Sequence, residues 1–91
     1  MTTDRPAPAV AVEPWLEMVR ELLSGDGGTL PLEAAERTAL LDLARVAAHT
    51  SERITAPLST YLAGLALASV PAAERAERIA ALVRRLEEQT A

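Results

Sequence analysis

Asp42, Arg45, His49, Glu52 and Arg53 recur at steps of three and four residues. That spacing lines side chains along one face of a helix. His49 is the single histidine, and the reference pKa of its type suits proton transfer near neutral pH. His49 and Glu52, three apart, offer two metal ligands. One helix supplies no more than that here, and the order His-x-x-Glu reverses the Glu-x-x-His order of di-iron carboxylate bundles. A nucleophile is missing from the neighbourhood unless Ser51, Ser59 or Thr60 turns inward. No catalytic residue, metal site or cofactor is therefore assigned. Two readings of the stripe stand: a polar network that fixes a corner between two helices, with Asp42 and Arg45 paired along the helix, or a surface that binds a partner or ligand.

Two further patterns have a sharp and a bland reading. Ser24-Gly25-Asp26-Gly27-Gly28-Thr29 resembles a phosphate cradle in its glycines but lacks the Lys-Ser/Thr ending of a P-loop and follows no strand. A loop with a helix cap is the simpler reading. Thr60, Gly64 and Ala68 form a small-residue stripe that permits close backbone approach. It serves either packing within one bundle or a homodimer contact. Gly64 costs about 0.8–1.0 kcal/mol relative to Ala in a helix interior, so something close by should fill the space. Trp15 reads as a core plug or groove filler.

These residues need helices to position them, and composition supplies little else. Among 91 residues, aromatics make up 2%, with no Phe, so core volume must come from Leu, Val, Ile and Ala. Leu and Ala favour helix, and strand-forming types are scarce. There is no Cys, which excludes disulfides and thiolate metal sites. The net charge is -4 and no basic cluster exists. Nucleic acid and anionic membrane are poor partners for such a chain. No apolar run reaches the roughly 20 residues that span a bilayer. The first residues lack the apolar region of a signal peptide, so a cytoplasmic protein is expected.

Residues 1–12, with Pro6 and Pro8, read as a flexible leader, and residues 13–91 as one helical domain. A first helix starts at Pro14 with Trp15, Val19, Leu22 and Leu23 at helical spacing. Pro31 opens a second, whose apolar face is Leu40, Leu43, Ala44, Ala47 and Ala48, and which stops near Ile54 because of Pro57. Thr55 is an N-cap for the third. In that helix Leu58, Tyr61, Leu62 and Leu65 make one face. No charge falls between Ala56 and Ala73. A helix apolar or small all round reads as the central, most buried one, with Leu62 in its core. Pro71 starts the fourth, with Ala76, Ile79, Leu82, Val83 and Leu86 as core and Glu74, Arg75, Glu77 and Arg78 among its solvated residues. The expected fold class is all-α, a small antiparallel four-helix bundle.

The stretch LLDLARVAAHTSERITAPLSTYLAGLA, Leu40 to Ala66, resembles a small actinobacterial helical domain family of unknown function. The family pattern runs LLDLAR-x-x-AH-x-x-ER-x-x-APL-(S/T)-x-(Y/F)-L-x-GLA after a short helix that begins with Trp. It is matched here by Trp15, Leu40 to Arg45, Ala48, His49, Glu52, Arg53, Ala56 to Ser59, Tyr61, Leu62 and Gly64 to Ala66. The fourth helix matches only in kind. Such domains are found alone or appended to molybdenum-cofactor guanylyltransferase-like proteins. The resemblance thus implies an accessory role near molybdenum-cofactor maturation or molybdoenzyme assembly. These residues carry no guanylyltransferase domain, so no nucleotide transfer is carried over. The expectation is a non-catalytic accessory domain with a protein partner, with a homodimer as one form of that contact. The alternative is a small-molecule-binding module or minimal enzyme that uses the His49/Arg53 polar face.

Overall fold

The computed structural model describes residues 10–24 and 30–91. Residues 1–9, most of the expected leader, and residues 25–29, the glycine-rich loop, lie outside the described residues. Among the described residues there are four helices and no strand: α1 (Val12–Ser24), α2 (Ala34–Thr50), α3 (Thr55–Ala66) and α4 (Ala72–Thr90). The all-α class and the helix order agree with the sequence. By its contacts the chain divides into two compact units, Met1–Leu30 and Pro31–Ala91.

In the first unit, α1 begins two residues before Pro14. The Trp15 N–H donates to the Ala11 carbonyl at 3.1 Å, and Pro14 sits in the first turn, where its missing N–H costs nothing. The far end is tied back on itself. The Ser24 hydroxyl donates to the Arg20 carbonyl at 2.8 Å, and Arg20 Nε donates to the Leu30 carbonyl at 2.9 Å. α1 buries none of its residues. Trp15 is half exposed, so the expectation that it plugs a core is not met.

In the second unit, α2 starts at Ala34, three residues later than Pro31 suggested, with Glu33 extended ahead of it. Its buried residues are Glu36, Ala39, Leu43 and Val46. They are three and four apart and lie on one stripe. The expected face of Leu40, Ala44, Ala47 and Ala48 lies beside this stripe and is only partly buried. α4 contributes Ile79 and Val83, and α3 contributes Ala63. Leu40, Leu67 and Leu86 pack at the edge of the same cluster.

Two ion pairs give the direction of the chain. Arg75, early in α4, bonds Glu36, early in α2, at 2.8 Å; Arg45 lies 3.9 Å from Glu87, both late in their helices. α2 and α4 therefore run parallel, side by side, and α3 crosses back between them in the chain. α2, which packs on both, is the central helix. The expectation that α3 is the most buried helix is overturned: only Ala63 of α3 is buried, and Leu58, Tyr61, Leu62 and Leu65 are 56–65% exposed.

Candidate functional site

The α2–α3 corner is built by Pro57. In a continuous helix Pro57 would offer no N–H to the Arg53 carbonyl, and its ring would clash there. The chain leaves the helix at Ser51, whose φ is -115° and ψ -109°, while its N–H still reaches the Ala47 carbonyl at 2.9 Å. The carbonyls of Glu52 and Arg53 then accept from the N–H groups of Thr55 and Ala56, at 2.9 and 3.2 Å, to start α3. Pro57 falls in the first turn of α3, where an N–H is dispensable. The Thr55 hydroxyl donates to the carbonyls of Ala47 at 3.1 Å and Glu52 at 2.7 Å. It thus clamps the end of α2 to the start of α3 instead of capping α3 in the expected way.

This corner decides where the polar stripe lies. Asp42 and Arg45 pair as expected: Arg45 Nη2 and Nε both donate to Asp42 Oδ1, at 2.7 and 3.1 Å. The hydrogen bond and charge of Asp42 hold the Arg45 guanidinium above its ordinary pKa, so it stays charged. Glu87 of α4 adds a weaker attraction at 3.9 Å. His49 lies exposed in the last turn of α2. Glu52 and Arg53 lie beyond the helix end in the turn, so they do not continue its face. Among the described residues, the His49, Glu52 and Arg53 side chains make no hydrogen bond or ion pair, and no group of three or more His, Asp or Glu converges on a common point.

Behind the corner, α2, α3 and α4 leave a cleft of about 280 Å³. Val46, Ala47 and Leu86 give its apolar walls, and Thr50, Ser51, Thr55, Ser59 and Thr90 supply hydroxyls. Two of those hydroxyls are already committed to backbone carbonyls, Thr55 as above and Thr90 to Leu86 at 2.8 Å. Neither His49 nor Arg53 lines the cleft. His49 and Arg53 therefore lie apart from this cleft, while Asp42 lines, with Glu77, a second and more open depression of about 450 Å³ between α2 and α4.

Sequence reasoning missed two features. The first is the Glu36–Arg75 pair, whose side chains are 10% and 17% exposed. Arg75 Nε donates to Glu36 Oε2 at 2.8 Å, and Arg75 Nη1 donates to the Val70 carbonyl at 3.0 Å. One guanidinium thus ties the first turn of α2 to α4 and to the turn before it. Glu36 Oε1 is buried and accepts no hydrogen bond from the described residues. Arg75, read from the sequence as solvated, is structural. The signal was present, since Glu36 lies three and seven residues before Ala39 and Leu43, and a charge on an apolar stripe demands a partner.

The second missed feature is the outer face of α3. With about 100° between successive residues, Ala56, Ala63 and Leu67 share one side, while Leu58, Tyr61, Leu62 and Leu65 share the opposite one. The small side is docked and the large side is exposed. Gly64 and Ala68 flank the large side next to Tyr61, and both are exposed. No atom among the described residues lies within 4 Å of where a Gly64 Cβ would stand. The expected neighbour that would justify this glycine is not supplied by the described residues. Thr60 is half buried, its hydroxyl turned back to the Pro57 carbonyl at 3.0 Å.

A family model for a domain of unknown function, DUF6457, matches residues 7–91. The chain belongs to that family. No curated protein and no solved structure matches it. The DUF6457 match takes in all four helices and extends well beyond the Leu40–Ala66 stretch that carries the resemblance. The family has no assigned biochemical role, so chemistry must be argued from the residues. Among the described residues, no helix is long and apolar enough to cross a membrane.

Proposed function

We propose that this DUF6457 chain is a non-catalytic accessory domain that works by protein–protein contact in the cytoplasm. One observation carries the reading: Leu58, Tyr61, Leu62 and Leu65 are more than half exposed on one face of α3. Isolated exposed leucines are ordinary, but a contiguous apolar face marks an interaction surface. Asp42 and Arg45, on the α4 side of α2, and His49 would then form a separate polar contact, which sets orientation more than affinity. Molybdenum-cofactor maturation or molybdoenzyme assembly is the setting we propose, on the resemblance of Leu40–Ala66 alone.

The test is photo-crosslinking in the native host from single positions on the full chain. A crosslinker at Leu62 should give a discrete protein adduct, and one at Arg84, on the charged side of α4, should not. Absence of any adduct from Leu62 would remove the reading. The cleft of about 280 Å³ favours the alternative of a small-molecule module. Its apolar walls and hydroxyls suit a small neutral ligand better than an anion held by His49 and Arg53. Native mass spectrometry of the purified chain decides this alternative: a retained compound that leaves in a Ser59→Leu variant supports it.

A further inference from the structure

We infer that the outer face of α3 is covered by the same face of a second copy, so that the chain is a two-fold homodimer. This rests on the reading of α3 as an interaction surface and names its occupant.

Charge is the first argument. No Asp, Glu, Lys or Arg occurs from Ile54 to Ala73. A two-fold contact sets residues at its axis against their own copies and pairs the others reciprocally, so a face carrying one sign of charge would meet like charge. This face brings none together. A differently charged partner would find no complementary group on it to fix register.

Area is the second argument. Ile54, Leu58, Tyr61, Leu62 and Leu65 are each 56–65% exposed. At about 100 Å² apiece, two copies cover roughly 1,000 Å², the lower bound for a specific interface before the rim is added. Gly64 is the third. Its Cβ position meets no atom of the described residues, and its place at the edge of the face lets a second backbone come close. A helical glycine that the described residues leave unexplained has a use between two copies.

Sedimentation velocity on the full chain tests this over about 1–100 µM, the range of moderate self-association. The wild type should approach twice the chain mass of 9.7 kDa and fall to monomer on dilution. Leu62→Arg should weaken association by about 100-fold or more, since a buried charge at the centre of an interface has no partner. Its circular dichroism should stay helical, because residue 62 is exposed in the single copy. Leu41→Arg, at an equally exposed leucine on α2, should leave the dimer intact. Mixing Leu62→Arg with Leu62→Glu should restore a dimer, which only a self-paired face allows.

A wild type that stays monomeric throughout overturns the inference, as does a dimer that survives Leu62→Arg. If that monomer still gives an adduct from Leu62 to another protein, the interaction reading stands and the second copy is excluded. If it gives no adduct and Leu62 is shielded from solvent, another part of the same chain covers the face and both proposals fall.

Discussion

α3 and α4 both lie against α2, and they present opposite sides of themselves to it. α4 buries its large residues, Ile79 and Val83, and turns its charged side outward. α3 buries Ala63 and turns Leu58, Tyr61, Leu62 and Leu65 outward. Full burial of one such side chain stabilises by about 1.5–3 kcal/mol. A rotation of α3 about its own axis would seem to gain several of these. The corner prevents it: Thr55 is held by the carbonyls of Ala47 and Glu52, and Pro57 follows in the first turn. Local hydrogen bonding fixes the rotation, and the small side lets α3 approach α2 closely. The difference separates a helix shaped for its own core from one shaped for something outside it.

The largest effects should come from the α2–α4 side of the comparison. Arg75→Ala leaves Glu36 buried without its guanidinium, which should cost about 3–5 kcal/mol in denaturant unfolding. Adding Glu36→Leu to that variant should recover much of the loss, because the stranded charge is gone. Leu43→Ala empties a fully buried position, 0% exposed, and should cost about 2–5 kcal/mol.

These two positions also show what the sequence could and could not disclose. The helices, their order and the all-α class follow from periodicity and from the prolines at 14, 57 and 71. The register of α2 does not. Leu40, Leu41 and Leu43 crowd one turn, so several apolar stripes fit, and the true one was masked by Glu36. Its partner Arg75 is 39 residues away, beyond the reach of any local pattern. For α3, an uncharged sequence has no polar side to mark solvent, so nothing in it tells which side the large residues face. In the candidate site, the Asp42–Arg45 pair was legible because it is local. Glu52 and Arg53 were not, since the break at Ser51 removes them from the helix.

Smaller effects belong to the α3 side. Gly64→Ala should stabilise the dilute chain by about 0.8–1.0 kcal/mol, because helix propensity improves and nothing among the described residues obstructs the new methyl. A loss of stability there would mean that a neighbour does approach Gly64. Smallest of all is Arg45→Ala, which should leave the melting midpoint unchanged. Its pair with Asp42 is exposed and screened. The sign for pH agrees: a folded pKa raised by Asp42 gives stability that is lost only as pH rises through the arginine range, far into alkali. No step from this pair should therefore appear between acid and mildly alkaline pH.

The absence of native cysteine allows the outward orientation of α3 to be measured directly. Single variants Leu62→Cys and Leu43→Cys can be labelled with a thiol reagent at low concentration, where any dimer has dissociated. Leu62→Cys should react at nearly the rate of an unfolded thiol, and Leu43→Cys only through opening of the fold, slower by orders of magnitude. Equal protection at the two positions would contradict the account, because Leu62 would then lie inside a core of the single chain.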